Sequence, residues 1–293
     1  VAVSKRSNTP LIYIGSKNEL LGVMALTYPQ ASKDKAWAVP FCGSLSAVFH
    51  FAPERAVLSD FNPELINFWE GTRRSPVKVL LYARGCLARR GQDQESLYYQ
   101  ARGRLNSLMI SGQRKIERAG LFLFINRFGY RGRWRVNKSG MCNIPYDHNR
   151  TKGGSLPSIR LLLDCSRYLR KPGVEIRCED WRDTVRVAVG RYGPEDLFLM
   201  LDPPYHKTTY QYDDCVAKGL RFEDVRGQIR LAGTVSRLAK AGASAAIHNN
   251  PTRTIQRLYG HSRYEWGWLA RDHKVGYGRR LDASAKEAII VVR

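Results

Sequence analysis

The chain has 293 residues, 43% of them apolar and 25% charged, the proportions of a globular protein rather than a disordered or fibrous one. No run approaches the roughly 18 consecutive apolar residues of a membrane span, and the opening Val1-Ala2-Val3-Ser4-Lys5-Arg6 lacks the apolar core of a secretory leader. A protein with no membrane partner is expected, cytoplasmic or in the compartment of its target, while a net charge of +22 calls for a polyanion held through phosphate contacts.

In chain order, Ser7 to Pro10 reads as an extended approach, and Gly15-Ser16-Lys17 opens a helix running to about Tyr28. Ala36-Trp37-Ala38-Val39 is a short apolar strand, followed by the tight Pro40-Phe41-Cys42-Gly43-Ser44 and a helix from Leu45 to Phe51. Ala56 to Ser59 is a second strand that ends at Asp60, and Asn62-Pro63-Glu64 starts the next helix, with Pro63 suited to its first turn. Strand, turn, helix, strand, acid is the front half of a nucleotide-binding α/β unit.

Between about Thr72 and Gly154 that rhythm stops. Arg84 to Ile110 has helical periodicity only in parts, Leu121 to Ile125 is apolar, and Arg127 to Asn149 is basic with glycines at 129, 132 and 140. From Arg102 to Lys152 there are twelve Lys or Arg against Glu117 and Asp147, a local charge of +10. An inserted recognition region over residues 72–154 is expected, with residues 1–71 and 155–293 forming the catalytic domain. A helix from Pro157 to Leu169 and a strand from Val174 to Cys178 resume the pattern. Then come a strand at Leu197 to Leu201, a helix from about Phe222 to Lys240, a strand at Ala243 to Ile247 and a helix near Thr252 to Tyr259. The chain closes in a hairpin of Tyr264 to Leu269 and Ala288 to Val292 around the polar Arg271 to Lys286. The fold expected is α/β, a Rossmann-like mixed sheet with an inserted, mainly helical region that contains a hairpin.

Asp202-Pro203-Pro204-Tyr205 leaves the end of the Leu197 to Leu201 strand, where open α/β sheets bind their ligands. The prolines restrict the backbone and remove N–H donors, so Asp202 and the Pro203 carbonyl can accept from an exocyclic amine while Tyr205 stacks on its ring. That arrangement favours positive charge developing on the nitrogen as it attacks an electrophile. The Phe41-Cys42-Gly43-Ser44 turn sits where a cofactor would rest, and Asp60 at the second strand end suits ribose hydroxyls. Neither GxGxxG nor GxxxxGK[ST] occurs, so a dinucleotide or triphosphate cradle is not expected. Six cysteines without a close pair and six histidines without HExxH predict isolated thiols and no structural metal. Trp266 and Trp268 alternate as sheet-face packing demands.

Tyr13-Ile14-Gly15-Ser16-Lys17, Pro40-Phe41-Cys42-Gly43, Ser59-Asp60-Phe61-Asn62, Asn126-Arg127-Phe128-Gly129-Tyr130 with Arg135-Val136-Asn137, and Asp202-Pro203-Pro204-Tyr205 occur in one order. Together they resemble the Dam-like (D12) class of S-adenosylmethionine-dependent DNA adenine-N6 methyltransferases, a likeness running from about Pro10 to Tyr259. The resemblance implies S-adenosylmethionine as cofactor and DNA, double-stranded, as partner, with no obligate protein partner. It places Tyr13 and Lys17 near the cofactor's carboxylate and adenosine ends, Phe41, Cys42 and Gly43 along its methionine portion, and Asp60 on its ribose. Asp202, Pro203, Pro204 and Tyr205 would hold the adenine, which must leave the duplex to react. Tyr130 would stand beside the flipped base and Arg135 would read a guanine of the family's usual GATC target, since a guanidinium matches guanine O6 and N7. Arg127, Arg131, Arg133, Asn137 and Lys138 complete the expected DNA-binding set.

The chain departs from the family pattern at four places. Val39 stands where an acid usually precedes Pro-Phe, and Leu45 where a second turn glycine is expected. Arg131 replaces the asparagine of Tyr-Asn-Gly and Arg133 an apolar residue, both adding charge that favours affinity over base discrimination. Ile247-His248-Asn249-Asn250 resembles the family's Ile-Ser-Asn segment near the substrate pocket, with His248 either touching substrate or serving as a polar strand end. An RNA adenine or cytosine N4 acceptor, and a nucleic-acid-binding protein with an impaired methyltransferase core, stay open on the residues alone.

Overall fold

The computed structural model describes residues 9–12, 21–32, 34–89, 91–149, 155–206, 225–260, 263–270, 275–278 and 285–292. Five parallel strands form one half of a mixed sheet: β1 (Ala36–Val39), β2 (Ala56–Asp60), β3 (Val174–Cys178), β4 (Leu197–Leu201) and β5 (Ser244–Asn249). β6 (Tyr264–Ala270), β7 (Val275–Gly278) and β8 (Ala285–Val292) continue it antiparallel, in the order β3-β2-β1-β4-β5-β8-β6-β7. The expected pairing of Tyr264–Leu269 with Ala288–Val292 is present. The polar stretch between them is not all loop, however, because Val275–Gly278 adds an edge strand to β6.

Side-chain alternation explains why the parallel strands read as unbroken apolar runs: both faces are covered. Trp37, Val39, Phe198 and Met200 enter one core with α1 (Leu21–Ser32) and α3 (Pro63–Arg74). Ala36, Ala38, Leu197, Leu199 and Leu201 enter a second core with α8 (Trp181–Tyr192), α9 (Val225–Lys240) and α10 (Arg253–Leu258). Trp266 is buried in that second core and Trp268 packs against it, as their alternation requires. The helix α8 is amphipathic, burying Trp181, Thr184, Val185 and Ala188 at i, i+3, i+4 and i+7 with its charged residues on the other face; Asp180 starts it by accepting from the Arg182 N–H.

The segment after α3 is mainly helical: α4 (Pro76–Arg84), α5 (Gln94–Ser111) and α6 (Lys115–Phe128) precede α7 (Ile159–Leu169). The broken periodicity of the 84–110 stretch conceals one uninterrupted helix, α5. Its cap supplies what the apolar pattern does not: Asp93 accepts from the Glu95 and Ser96 N–H groups, and only Tyr98, Ala101, Leu105 and Leu108 are buried. Leu80, Tyr98, Leu105, Phe122 and Phe124 join the same hydrophobic cluster as Phe68, Trp69 and Phe198, so these helices share the core of the sheet. Where α3 meets α6, the Arg118 guanidinium and the Glu64 carboxylate form a buried two-pronged ion pair.

Five described cysteines are in no disulfide: Cys42, Cys142 and Cys165 are buried, Cys86 half-buried and Cys178 exposed. Burial pushes the thiol of Cys86 up to about 11 and that of Cys165 up to about 12, which leaves little thiolate to react at pH 8. With Cys215 replaced by serine, a disulfide reagent at pH 8 is expected to titrate Cys178 promptly and the other four thiols only after denaturation. A second promptly titrated thiol would contradict this burial pattern.

Candidate active site and nucleic-acid interface

Three strand ends converge on one cleft. β1 lies between β2 and β4, so the turn after β1, Asp60 at the end of β2 and Asp202 after β4 lie side by side at the carboxyl edge. The turn is held from all sides. The Cys42 N–H donates to the Ser59 carbonyl at 2.8 Å, the Leu45 N–H to the Cys42 carbonyl at 2.9 Å, and the Trp69 indole to the Gly43 carbonyl at 3.0 Å. Gly43 has φ 47 and Leu45 φ 56. Leu45 therefore adopts the left-handed conformation that a glycine would take without penalty, at a cost of roughly 1–2 kcal/mol, while its side chain is buried in the first core.

Asp60 is fastened to this turn. Its Oδ2 accepts from the Gly43 N–H at 3.1 Å and its Oδ1 from the Asn62 N–H at 3.0 Å. Capping of α3 falls to Asn62, whose Oδ1 takes the Glu64 and Leu65 N–H groups. A half-buried carboxylate with about four acceptor positions, oriented by two backbone donors beside a left-handed turn, suits the vicinal hydroxyls of a ribose. Phe41 leans on Trp181, ring centroids 6.4 Å apart, making one wall apolar. Burial, and next the Asp60 charge, hold the Cys42 thiol well above its ordinary value, so Cys42 contributes a neutral surface.

The 202–205 loop is braced by residues that its own motif does not announce. The Gln228 amide donates to the Pro204 carbonyl at 3.0 Å, and Asn249 Nδ2 donates to Gln228 Oε1 at 3.0 Å. Asn249 Oδ1 in turn accepts from the His206 N–H at 3.0 Å, and the His206 ring pairs with the Thr252 hydroxyl at 2.9 Å. Gln228 and Asn249 are fully buried, where unmatched amides would be costly. The Tyr205 hydroxyl donates to Glu287 on β8. No described residue donates to the Pro203 carbonyl. His248 is buried and paired with the Tyr28 hydroxyl at 2.5 Å, which makes it a support within the core rather than a residue lining the cleft. Burial and the neighbouring Asp202 carboxylate raise the Tyr28 hydroxyl well above its usual range.

The basic loop follows α6. Isolated antiparallel bridges Gly129↔Tyr146 and Val136↔Cys142 make it an irregular hairpin, with a tight turn at Tyr130–Gly132 in its outgoing arm. Tyr130 is exposed, with the Arg131 and Arg133 guanidinium carbons 5.3 Å and 5.7 Å from its ring centroid. Arg131 is left-handed (φ 55) and its N–H donates to the buried Asp147 carboxylate at 3.1 Å. Arg127 Nε donates to the Ser155 carbonyl at 2.8 Å. Asn137 makes the hairpin's end turn, its Oδ1 accepting from the Ser139 and Met141 N–H groups, and Lys138 projects there in solvent. Arg135, also exposed, is hydrogen-bonded to Asn143.

The cleft and the basic loop are tied by a short piece of chain. The Thr9 hydroxyl donates to the Ser44 carbonyl at 2.5 Å, while Ile12 exchanges two hydrogen bonds with the Asn126 side chain, which also donates to the Gly132 carbonyl at 3.0 Å. Tyr13 and Lys17 lie outside the described residues. Gly132 (φ 64) has no room for a side chain, since a Cβ would come within 2.6 Å of Ile12. Gly140 (φ 75) has nothing within 4 Å. Gly132→Ala is expected to cost about 1–3 kcal/mol in urea unfolding and Gly140→Ala about 1 kcal/mol, so the gap between them measures the close approach to Ile12.

At the carboxyl edge of the parallel strands, the acid-clamped turn and the proline loop stand side by side, where an open α/β sheet binds its ligand. The family comparison makes this specific: residues 13–274 match the D12 class N6 adenine-specific DNA methyltransferases, and the chain belongs to that family, whose members use S-adenosylmethionine. It is 25% identical over 249 residues to the type II methyltransferase M1.LlaDCHI of Lactococcus lactis subsp. cremoris, covering 84% of this chain and 82% of that protein. It is 27% identical over 258 residues to a DNA adenine methylase of Vibrio cholerae serotype O1, covering 87% and 86%. It is 26% identical over 285 residues to the retron Ec67 DNA adenine methylase of Escherichia coli, covering 97% and 91%.

Proposed function

We propose that the protein methylates N6 of an adenine flipped out of double-stranded DNA, with S-adenosylmethionine as donor and short or relaxed sequence specificity. The observation that carries this reading is the adjacency of the Asp60-clamped turn to the Asp202-Pro203-Pro204-Tyr205 loop across neighbouring strands. Residues 1–71 and 155–293 form the catalytic part and residues 72–154 the target-recognition part.

When bound, S-adenosylmethionine supplies a methyl carbon on a cationic sulfur, so electrophile and leaving group arrive together. Asp60 would hold the ribose hydroxyls and Phe41, Cys42 and Gly43 the methionine portion, and the family resemblance gives Tyr13 and Lys17 a share in cofactor binding. The adenine amine would donate one hydrogen to Asp202 and the other to the Pro203 carbonyl, which would fix its orientation and leave its lone pair free to attack. Tyr205 stacks on the ring, its hydroxyl held by Glu287. Asp202 stabilises the positive charge that grows on N6, and the alkylated nitrogen is acidic enough to lose its proton toward that carboxylate and solvent. Tyr130 stands by the vacated position in the base stack, while Arg127, Arg131, Arg133, Asn137 and Lys138 bind the backbone and Arg135 faces the bases.

Duplex DNA, single-stranded DNA and RNA are each incubated with methyl-labelled S-adenosylmethionine, and the nucleosides are then separated. N6-methyldeoxyadenosine is expected, most abundant from the duplex. Label confined to RNA, or found on cytosine N4, would overturn the proposal.

A further inference from the structure

Arg135 is prepared for use in a way that binding to a phosphate does not require. Its Nε donates to Asn143 Oδ1 at 2.7 Å and its Nη2 to the Asn143 carbonyl at 3.1 Å, while the Asn143 N–H returns a bond to the Arg135 carbonyl at 3.2 Å. A guanidinium has five N–H donors in a rigid fork. Asn143 occupies one edge of that fork, and the Nη1/Nη2 edge remains in solvent on an exposed side chain.

The brace is itself anchored. Asn106, Arg102 and Tyr98 lie four residues apart on one face of α5 and grip the returning arm of the hairpin. Asn106 exchanges bonds with the backbone of Cys142 at 3.0 Å and 2.7 Å, and Arg102 and Tyr98 both donate to the Ile144 carbonyl, at 2.7 Å and 3.0 Å. Asn143 sits between these two fixed points. Contact with a phosphate, whose charge is spread over several oxygens, needs no such orientation, whereas two parallel donors must be aimed to meet two acceptors on a base edge.

We propose that Asn143 is a specificity-determining positioning residue: by occupying the Nε/Nη2 edge of Arg135 it aims the opposite edge at a guanine in the major groove. The inference rests on the reading of the protein as a duplex-DNA adenine methyltransferase, and it adds a residue that touches no base itself.

The test is a selection of bound duplexes from a random-sequence library in the presence of S-adenosylhomocysteine, with adenine methylation mapped in parallel on the same library. The native protein is expected to enrich guanine at one position. Asn143→Ala should reduce that enrichment about tenfold while the salt dependence of binding stays unchanged, and Asn143→Asp, which keeps the acceptor oxygen, should restore it. Arg135→Ala should abolish the enrichment. Equal enrichment by the native protein and Asn143→Ala, or no guanine preference in the native protein, would overturn the inference. Because selection reads binding and mapping reads chemistry, loss of adenine methylation with an Asn143-dependent profile would sink the functional reading alone.

Discussion

Asp202→Ala is expected to lower kcat by at least about 10²–10³-fold, the loss seen when one oriented group facing developing charge is removed. Affinity for duplex DNA should change by less than about threefold, because removing an acid from a strongly basic protein leaves its phosphate contacts intact. The separation matters, since loop 202–205 is braced by Gln228, Asn249 and His206, and the loop should keep its course in the variant. Asp202→Asn retains the shape and one acceptor oxygen but not the charge, and should fall between the two. Single-turnover methyl transfer with equilibrium DNA binding gives both quantities. An alanine variant within about threefold of native kcat would remove Asp202 from the chemistry.

The second large effect concerns stability. Arg118→Ala is expected to destabilise the fold by about 3–5 kcal/mol, because it strands the Glu64 carboxylate, which is 3% exposed, without its counter-charge. This corresponds to a fall in thermal midpoint on the order of 10 °C. Replacing both partners, Arg118→Met with Glu64→Leu, should recover most of the loss, since desolvation of the pair offsets much of its attraction. If the single variant lost less than about 1 kcal/mol, the contact between α3 and α6 would be apolar in its energetics and the ion pair incidental.

Much of the strand-end cleft was legible in the chain because it is local. Apolar runs ending in Asp60 and in Asp202-Pro203-Pro204-Tyr205 announce strand ends carrying acids, and runs unbroken by polar alternation mark parallel strands covered on both faces. The supports of those motifs were not legible. Gln228 reaches Pro204 across 24 residues, and Glu287 reaches Tyr205 across 82; no spacing rule links them. Leu45 looked like a defect in a glycine turn, yet its burial shows how a left-handed residue is tolerated where its side chain fills the core. His248 could be placed on a strand but not on a face, and Tyr28, 220 residues away, decides that face. In the basic loop, composition marked Arg135 as a cation among cations. Its pairing with Asn143 distinguishes it.

The core common to the sheet and to α4–α6 bears on how sequence preference could be exchanged between relatives. Phe68 and Trp69 on α3, and Leu80, Tyr98 and Phe122 on the three helices that follow, pack in one cluster. A graft of residues 72–154 from a relative would therefore bring half of a jigsaw and meet the other half cut for a different piece. Chimeras joined at the ends of this segment should be soluble only when the donor's counterparts of α3 and α7 travel with it, whereas a graft confined to the 129–146 hairpin crosses fewer packed surfaces and is the smaller unit to transplant.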